Sequence, residues 1–295
     1  MKFGVAVPNY GETLSVDGLV SVARTAESLG YDSLWATDHI LMPRSSGTPY
    51  ERILDSITTI SYLAGVTSRV QLGVSALIIA MRNPIVAAKQ LATIDALSGG
   101  RLAFAVGVGW NDKEFHSLGS DFGTRGRRVD ESIRLVRELF EGITSFRGTR
   151  TQLDFKDAVF EPRPSHRVPI WIAGNSPAAM KRAATLGDAW HPNLAPLEEF
   201  SRRVSEFRGI QGSERRQIHV RVGLNSRSPT GEFIGAQGEK RVSLSADEAM
   251  NLRIMSTLRE LRVDGVVIST SPLGKTTVEE QLEGLSMVHD RLMSP

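Results

Sequence analysis

One pattern returns eight times along the chain and limits its fold more than any other feature. It is a short run rich in Val, Ile and Ala, then a turn, then an amphipathic stretch. The apolar runs read as strands at 2–8, 31–37, 69–76, 101–107, 169–174, 188–193, 217–225 and 263–269. They lack polar alternation, as strands buried on both faces should. The stretches between them carry helical spacing and helix punctuation. Leu19, Val22, Ala23, Ala26 and Leu29 share one face ahead of Gly30. Asn83-Pro84 and Ser176-Pro177 supply caps with a first-turn proline, and Gly142 and Gly187 supply stops. Val129, Ile133, Val136 and Phe140 mark the fourth helix, and Ser245 with Glu248 has the spacing of a capping box for the seventh.

Eight strand–helix units with parallel crossovers predict a closed (β/α)8 barrel over an open sheet. The 295 residues suit one such barrel as a single domain over 1–295. Two insertions interrupt the rhythm. Residues 143–168, after helix 4, contain Glu161-Pro162-Arg163-Pro164 and predict a hairpin plus an extended arm. Residues 226–243, after strand 7, hold Gly231, Gly235 and Gly238 among polar residues and predict a long loop at the catalytic end of a barrel.

Composition narrows the function. There is no cysteine, which removes disulfides, thiolate metal sites and thiol nucleophiles. The six histidines show neither HxH nor HExxH spacing, so no metal is expected. Net charge is only +2, with no basic stripe interleaved with aromatics, so nucleic acid is not an expected partner. No apolar run approaches the ~18 residues of a membrane span, and the N-terminus lacks a signal-peptide core. The expected location is the cytoplasm, and the expected partner is a small-molecule substrate.

In a barrel, chemistry sits just after the strands. Asp38-His39 follows strand two: a histidine there can move a proton near neutral pH, and an adjacent carboxylate can tune it. The same pair also suits a plain loop cap. Gly107-Val108-Gly109 ends strand four with small residues against which a flat ring could lie, followed by Trp110. It lacks the third glycine of a dinucleotide fingerprint. Gly174-Asn175-Ser176-Pro177 opens a helix after strand five, where free backbone N–H groups suit a phosphate or serve an ordinary capped turn.

Several segments together resemble the luciferase-like flavin and deazaflavin oxidoreductases. They are Ala26-Glu27-Ser28-Leu29-Gly30-Tyr31-Asp32-Ser33-Leu34-Trp35, Asp38-His39, Leu91 to Arg101, Gly107-Val108-Gly109-Trp110 with Glu114-Phe115, and Pro169 to Trp190. The resemblance implies a (β/α)8 barrel holding coenzyme F420 or FMN at its C-terminal mouth. The ring would be backed by a non-proline cis peptide at Ser75-Ala76, with the phosphate at Gly174, Asn175 and Ser176. Gly107 and Gly109 would give clearance, His39 would lie over the reactive carbon, and Asp38 would tune it. The subgroup with Asp-His after strand two and Gly-x-Gly-Trp after strand four implies coenzyme F420 and hydride transfer. An FMN-dependent monooxygenase fed by a separate flavin or F420 reductase stays open, as does a non-catalytic cofactor binder. Sugar-phosphate dehydrogenases of the family carry a catalytic acid at the position of Trp110. An indole cannot donate that proton, and Trp110 is better suited to walling an apolar or aromatic substrate. The resemblance also implies a homodimer.

Overall fold

A computed structural model describes residues 1–293 of the chain. The elements run β1 (Lys2–Ala6), α1 (Val16–Ser28), β2 (Ser33–Ala36), α2 (Ser56–Val66), β3 (Gln71–Val74), α3 (Pro84–Ser98) and β4 (Phe104–Val106). Next come α4 (Asp112–Ser117), α5 (Arg125–Glu141), the short strands β5 (Phe146–Arg147) and β6 (Asp154–Phe155), β7 (Ile170–Ala173), α6 (Pro177–Leu186), β8 (Ala189–His191) and α7 (Leu197–Arg208). The chain ends with β9 (Gln217–Leu224), β10 (Glu232–Ile234), β11 (Lys240–Leu244), α8 (Glu248–Glu260), β12 (Gly265–Ser269) and α9 (Val278–Val288).

Eight strands pair in parallel in the order β3-β2-β1-β12-β9-β8-β7-β4. The ring closes between β3 and β4 through Leu72 N–H to the Arg101 carbonyl (2.8 Å) and Leu77 N–H to the Ala105 carbonyl (2.7 Å). This is the (β/α)8 barrel that the eightfold pattern predicts. Its strands are shorter than the apolar runs, which extend past the paired residues at one or both ends.

Two apolar layers hold the fold. The larger lies between strands and helices, with Val5, Leu34, Leu72, Phe104 and Ile218 packed against the helices' buried faces. The smaller fills the barrel interior, where the tilted rings of Trp35 and Trp171 pack with centroids 4.3 Å apart among Ala6, Ala103, Ala105, Ala189 and Val267. Such bulk needs small partners. A Cβ on Gly73 would stand 2.5 Å from the Trp35 ring, and one on Gly265 would stand 2.4 Å from His219 Nδ1. The glycines in these strands therefore make room for indole and imidazole rings.

The insertion after the fourth main helix is the expected hairpin, β5 against β6, followed by an arm. The region 226–243 differs from its expectation. It is an antiparallel hairpin, β10 with β11, and β11 then runs parallel to β9 through Ser243 and Leu244. Two of the glycines that suggested a loop sit where the hairpin is crowded: a Cβ on Gly231 would meet the Ser243 carbonyl at 2.5 Å, and one on Gly235 would meet the Glu239 and Arg241 side chains, whereas Gly238 stands in open space with φ +79°. The cap of α8 also differs, being Asp247, whose carboxylate accepts from Met250 N–H at 3.0 Å. Ser245 instead binds Asn251 through its backbone, and the capping box belongs to Thr277 and Glu280 of α9. Among the described residues no helix is long and apolar enough to cross a membrane.

Candidate active site

A cavity of about 710 Å³ opens at the C-terminal ends of the barrel strands, walled on one side by the β10–β11 hairpin. Its size lies in the range of small-molecule sites, about 300–1,000 Å³. His39, Ser75, Ala76, Trp110, Asn175 and Arg221 all line it, brought together from five strands far apart in sequence.

His39 is 5% exposed, and its Nδ1 meets Glu114 Oε2 at 2.8 Å. Glu114 is the third residue of α4, whose cap Asn111 accepts from the Glu114 N–H. The other Glu114 oxygen accepts from the N–H groups of Ile40 (2.7 Å) and Leu41 (3.2 Å). Burial pushes this carboxyl up, but the His39 ring and the two amides outweigh it and hold the group below the usual range. An ionised Glu114 can only accept, so His39 Nδ1 carries the hydrogen. Nε2 has no partner among the described residues. The imidazole stacks on Tyr50 at 4.7 Å and takes the edge of Trp110 at 5.7 Å.

Asp38 does something other than tune its neighbour. Its carboxylate takes both guanidinium nitrogens of Arg82, at 2.7 and 2.8 Å, together with Ser56 Oγ and the Ile78 N–H. The pair is buried and locks the β2 loop to the segment after β3. The carboxylate expected beside His39 is supplied by Glu114, 75 residues away in sequence.

Ser75-Ala76 is a cis peptide, as the resemblance implies. Ser75 Oγ meets His191 Nε2 at 2.7 Å, and the Ser75 carbonyl accepts from Arg221 Nη1 at 2.8 Å. Burial, with Arg221 nearby, depresses His191 to about 4 against the lift from its bond to the His219 carbonyl. It is neutral at ordinary pH, so Nδ1–H donates to the His219 carbonyl and Nε2 accepts from Ser75. His219 lies flat on Trp171 at 3.9 Å and is depressed to about 3, chiefly by burial.

Gly107 leaves space beside Ala76, where a Cβ would approach the alanine methyl to 3.2 Å. Gly109 lines the cavity as well, but the clearance it gives goes to protein atoms. A Cβ there would meet the Phe115 ring at 2.5 Å and Ile78 at 2.8 Å, and its φ is +77°. At the other wall Gly174 has φ +123° and its carbonyl accepts from Trp190 Nε1 at 2.8 Å. The Asn175 amide is held by the backbone of Asn193, and Ser176 Oγ caps α6. The N–H groups of Asn175 and Ser176 meet no acceptor among the described residues. Beside the cavity, Arg125 covers Phe122 and binds the Gly109 carbonyl.

Sequence reasoning missed Arg82, Tyr50 and Arg221. Arg221 did carry a signal, a lone cation inside the apolar strand Ile218 to Leu224. Tyr50 carried none, since the loop that brings it to His39 has no periodicity. Among the described residues no group of three or more His, Cys, Asp or Glu could hold a metal ion.

A parallel barrel with a histidine–carboxylate pair, a flat-walled cleft and a helix N-terminus at one mouth defines a small-molecule enzyme scaffold. The chain belongs to the luciferase-like monooxygenase family, whose sequence profile matches residues 1–229. It is 36% identical over 179 residues to an F420-dependent glucose-6-phosphate dehydrogenase from Amycolatopsis mediterranei, covering 58% of this chain and 52% of that protein. It is 34% identical over 141 residues to the pyrimidine monooxygenase RutA of Allorhizobium ampelinum, covering 46% of this chain and 38% of that one. The chain thus spans about half or less of these two relatives. An F420-dependent secondary alcohol dehydrogenase, solved with an F420–acetone adduct, shares the fold with a TM-score of 0.77 at 15% identity, covering 99% of this chain and 98% of that one. These findings identify a luciferase-like oxidoreductase.

Proposed function

We propose that this oxidoreductase transfers hydride between coenzyme F420 and a small organic substrate. The observation that carries the reading is the His39–Glu114 pair, with Nδ1 fixed on a carboxylate at 2.8 Å and Nε2 unpartnered at the cavity. Hydride transfer to a carbonyl leaves an alkoxide that needs a proton, and an imidazole so oriented can give one.

The walls fit a flat ring bearing a phosphate. Gly107 offers backbone without a side chain beside Ala76. Ser75-Ala76 would back the ring, with Ser75 held by His191 and Arg221. The Asn175 and Ser176 N–H groups, at the start of the ten-residue α6, would take the phosphate. Bound deazaflavin supplies a hydride donor or acceptor that reacts poorly with oxygen. In the reductive direction the substrate carbon receives the hydride and its oxygen takes the proton from His39 Nε2. Glu114 stabilises the charged imidazole before that transfer, and Tyr50 and Trp110 fix its plane. The reverse direction uses the same atoms, with His39 as base.

The likeness to RutA supports a second reading, oxygenation with reduced FMN. Titrating the purified protein with coenzyme F420 and with FMN, followed by cofactor fluorescence, separates the two. Tight F420 binding with weak FMN binding is expected. The reverse preference, with oxygen consumed on adding reduced FMN and substrate, transfers the assignment to a monooxygenase. Binding of neither overturns both.

A further inference from the structure

The carboxylates that line the cavity are already engaged. Asp38 is paired with Arg82, Glu199 with Arg203 and Glu239 with Arg241. Two lining cations remain without a carboxylate among the described residues, Arg221 inside the barrel mouth and Lys240 on the hairpin. Among the described residues Arg221 is held by neutral oxygens alone: the Ser75 carbonyl at 2.8 Å, Thr37 Oγ1 at 2.9 Å and Ser269 Oγ at 3.4 Å. A half-buried guanidinium with no counter-charge raises the affinity of its surroundings for an anion.

The phenols of Tyr10 and Tyr50 point to the same conclusion. Their rings meet edge to face at 4.9 Å, Tyr10 is 3% exposed, and both line the cavity. Neither hydroxyl has a hydrogen-bond partner among the described residues. No fully buried side-chain nitrogen or oxygen among the described residues lacks a partner, so these two hydroxyls are accessible at the cavity and leave donors for a ligand. Burial, with Tyr10 adding to it, raises Tyr50 to about 12 against the pull of Arg221 and Arg241, so its hydroxyl stays a donor at ordinary pH.

We propose that the substrate is a small planar organic anion, a carboxylate-bearing carbonyl compound. Arg221 and the Tyr10 and Tyr50 hydroxyls hold its acid group, while Trp110 and His39 flank its reacting end. Where the carbonyl goes rests on the hydride-transfer reading; the anion pocket does not.

Isothermal titration of the full chain, without added cofactor, tests the pocket. The probes are benzoate and benzamide, which share a shape and differ in charge. Benzoate is expected to bind at least tenfold more tightly. Tyr50→Phe should weaken benzoate about three- to tenfold, and Arg221→Gln should remove most of its advantage. If Arg221→Gln does not fold, Tyr10→Phe takes its place beside Tyr50→Phe, with the same direction expected. Equal binding of the two probes, no binding of either, or benzoate binding untouched by the substitutions overturns the proposal. So does loss of F420 affinity in Arg221→Gln with benzoate unaffected, which assigns that charge to the cofactor. The failures are distinct: a chain that prefers benzoate but binds neither F420 nor FMN keeps its anion pocket and loses the hydride-transfer reading.

Discussion

His39 and His191 both stand at the C-terminal ends of barrel strands, and they have opposite surroundings. His39 follows β2 with one nitrogen on a buried carboxylate and the other unpartnered at the cavity. His191 closes β8 with one nitrogen on a backbone carbonyl and the other on Ser75 Oγ. The carboxylate partner fixes the tautomer of His39 and leaves Nε2 to the cavity, whereas a carbonyl partner and complete burial hold His191 neutral, down to about pH 4. One histidine is suited to moving protons, the other to holding a loop in place. Residue type and strand-end position are shared, so the partners make the difference.

The contrast breaks first at His39. His39→Ala is expected to cut turnover about 10²- to 10⁴-fold with F420 and an identified substrate, leaving cofactor affinity within a few-fold. Full turnover in this variant removes the proton-transfer role. Arg82→Met should cost about 3–5 kcal/mol in urea unfolding, because Asp38 is left a buried charge without its cation. A loss under about 1 kcal/mol would mean that the pair does not anchor the loop bearing His39. Glu114→Gln keeps a hydrogen-bond acceptor but removes the charge. Turnover should fall about 10- to 100-fold with a displaced pH profile. An unmoved profile would separate Glu114 from the function of His39.

The remaining prediction concerns the neutral pair. In the fold His191 and His219 are depressed to about 4 and about 3, while an unperturbed histidine titrates at 6.5. As pH falls below about 6.5 the unfolded chain takes up protons that the folded chain refuses. Their contribution to stability is therefore complete above that pH and declines as pH falls toward 4 and 3. Melting temperatures between pH 7 and 4 should drop, and His191→Phe should show a shallower drop. A flat profile would mean that these imidazoles are charged within the fold.

Much of the fold was legible because its signals are local. Asn83-Pro84, Ser176-Pro177 and Gly142 begin and end helices where expected, since caps and stops act within a turn of the chain. Ser245 misled because Asp247, two residues on, offers the same chemistry and sits at the helix start. The region 226–243 misled for another reason. Gly231 and Gly235 satisfy packing against the Ser243 carbonyl and the Glu239 and Arg241 side chains, a demand invisible in composition.

The sequence by itself determined the eightfold strand–helix order, the barrel that follows from it, and the strand ends where Asp38, His39, Ser75, Trp110 and Ser176 reach the mouth. Only the tertiary structure decided which of these groups act together. Asp38 and His39 are adjacent, yet one binds Arg82, 44 residues away, and the other Glu114, 75 away. Arg221 reaches Ser75 across 146 residues. Periodicity fixes where a side chain leaves its own strand or helix, because that depends on a few dihedral angles nearby. Which charge it finds there depends on the closure of the whole ring.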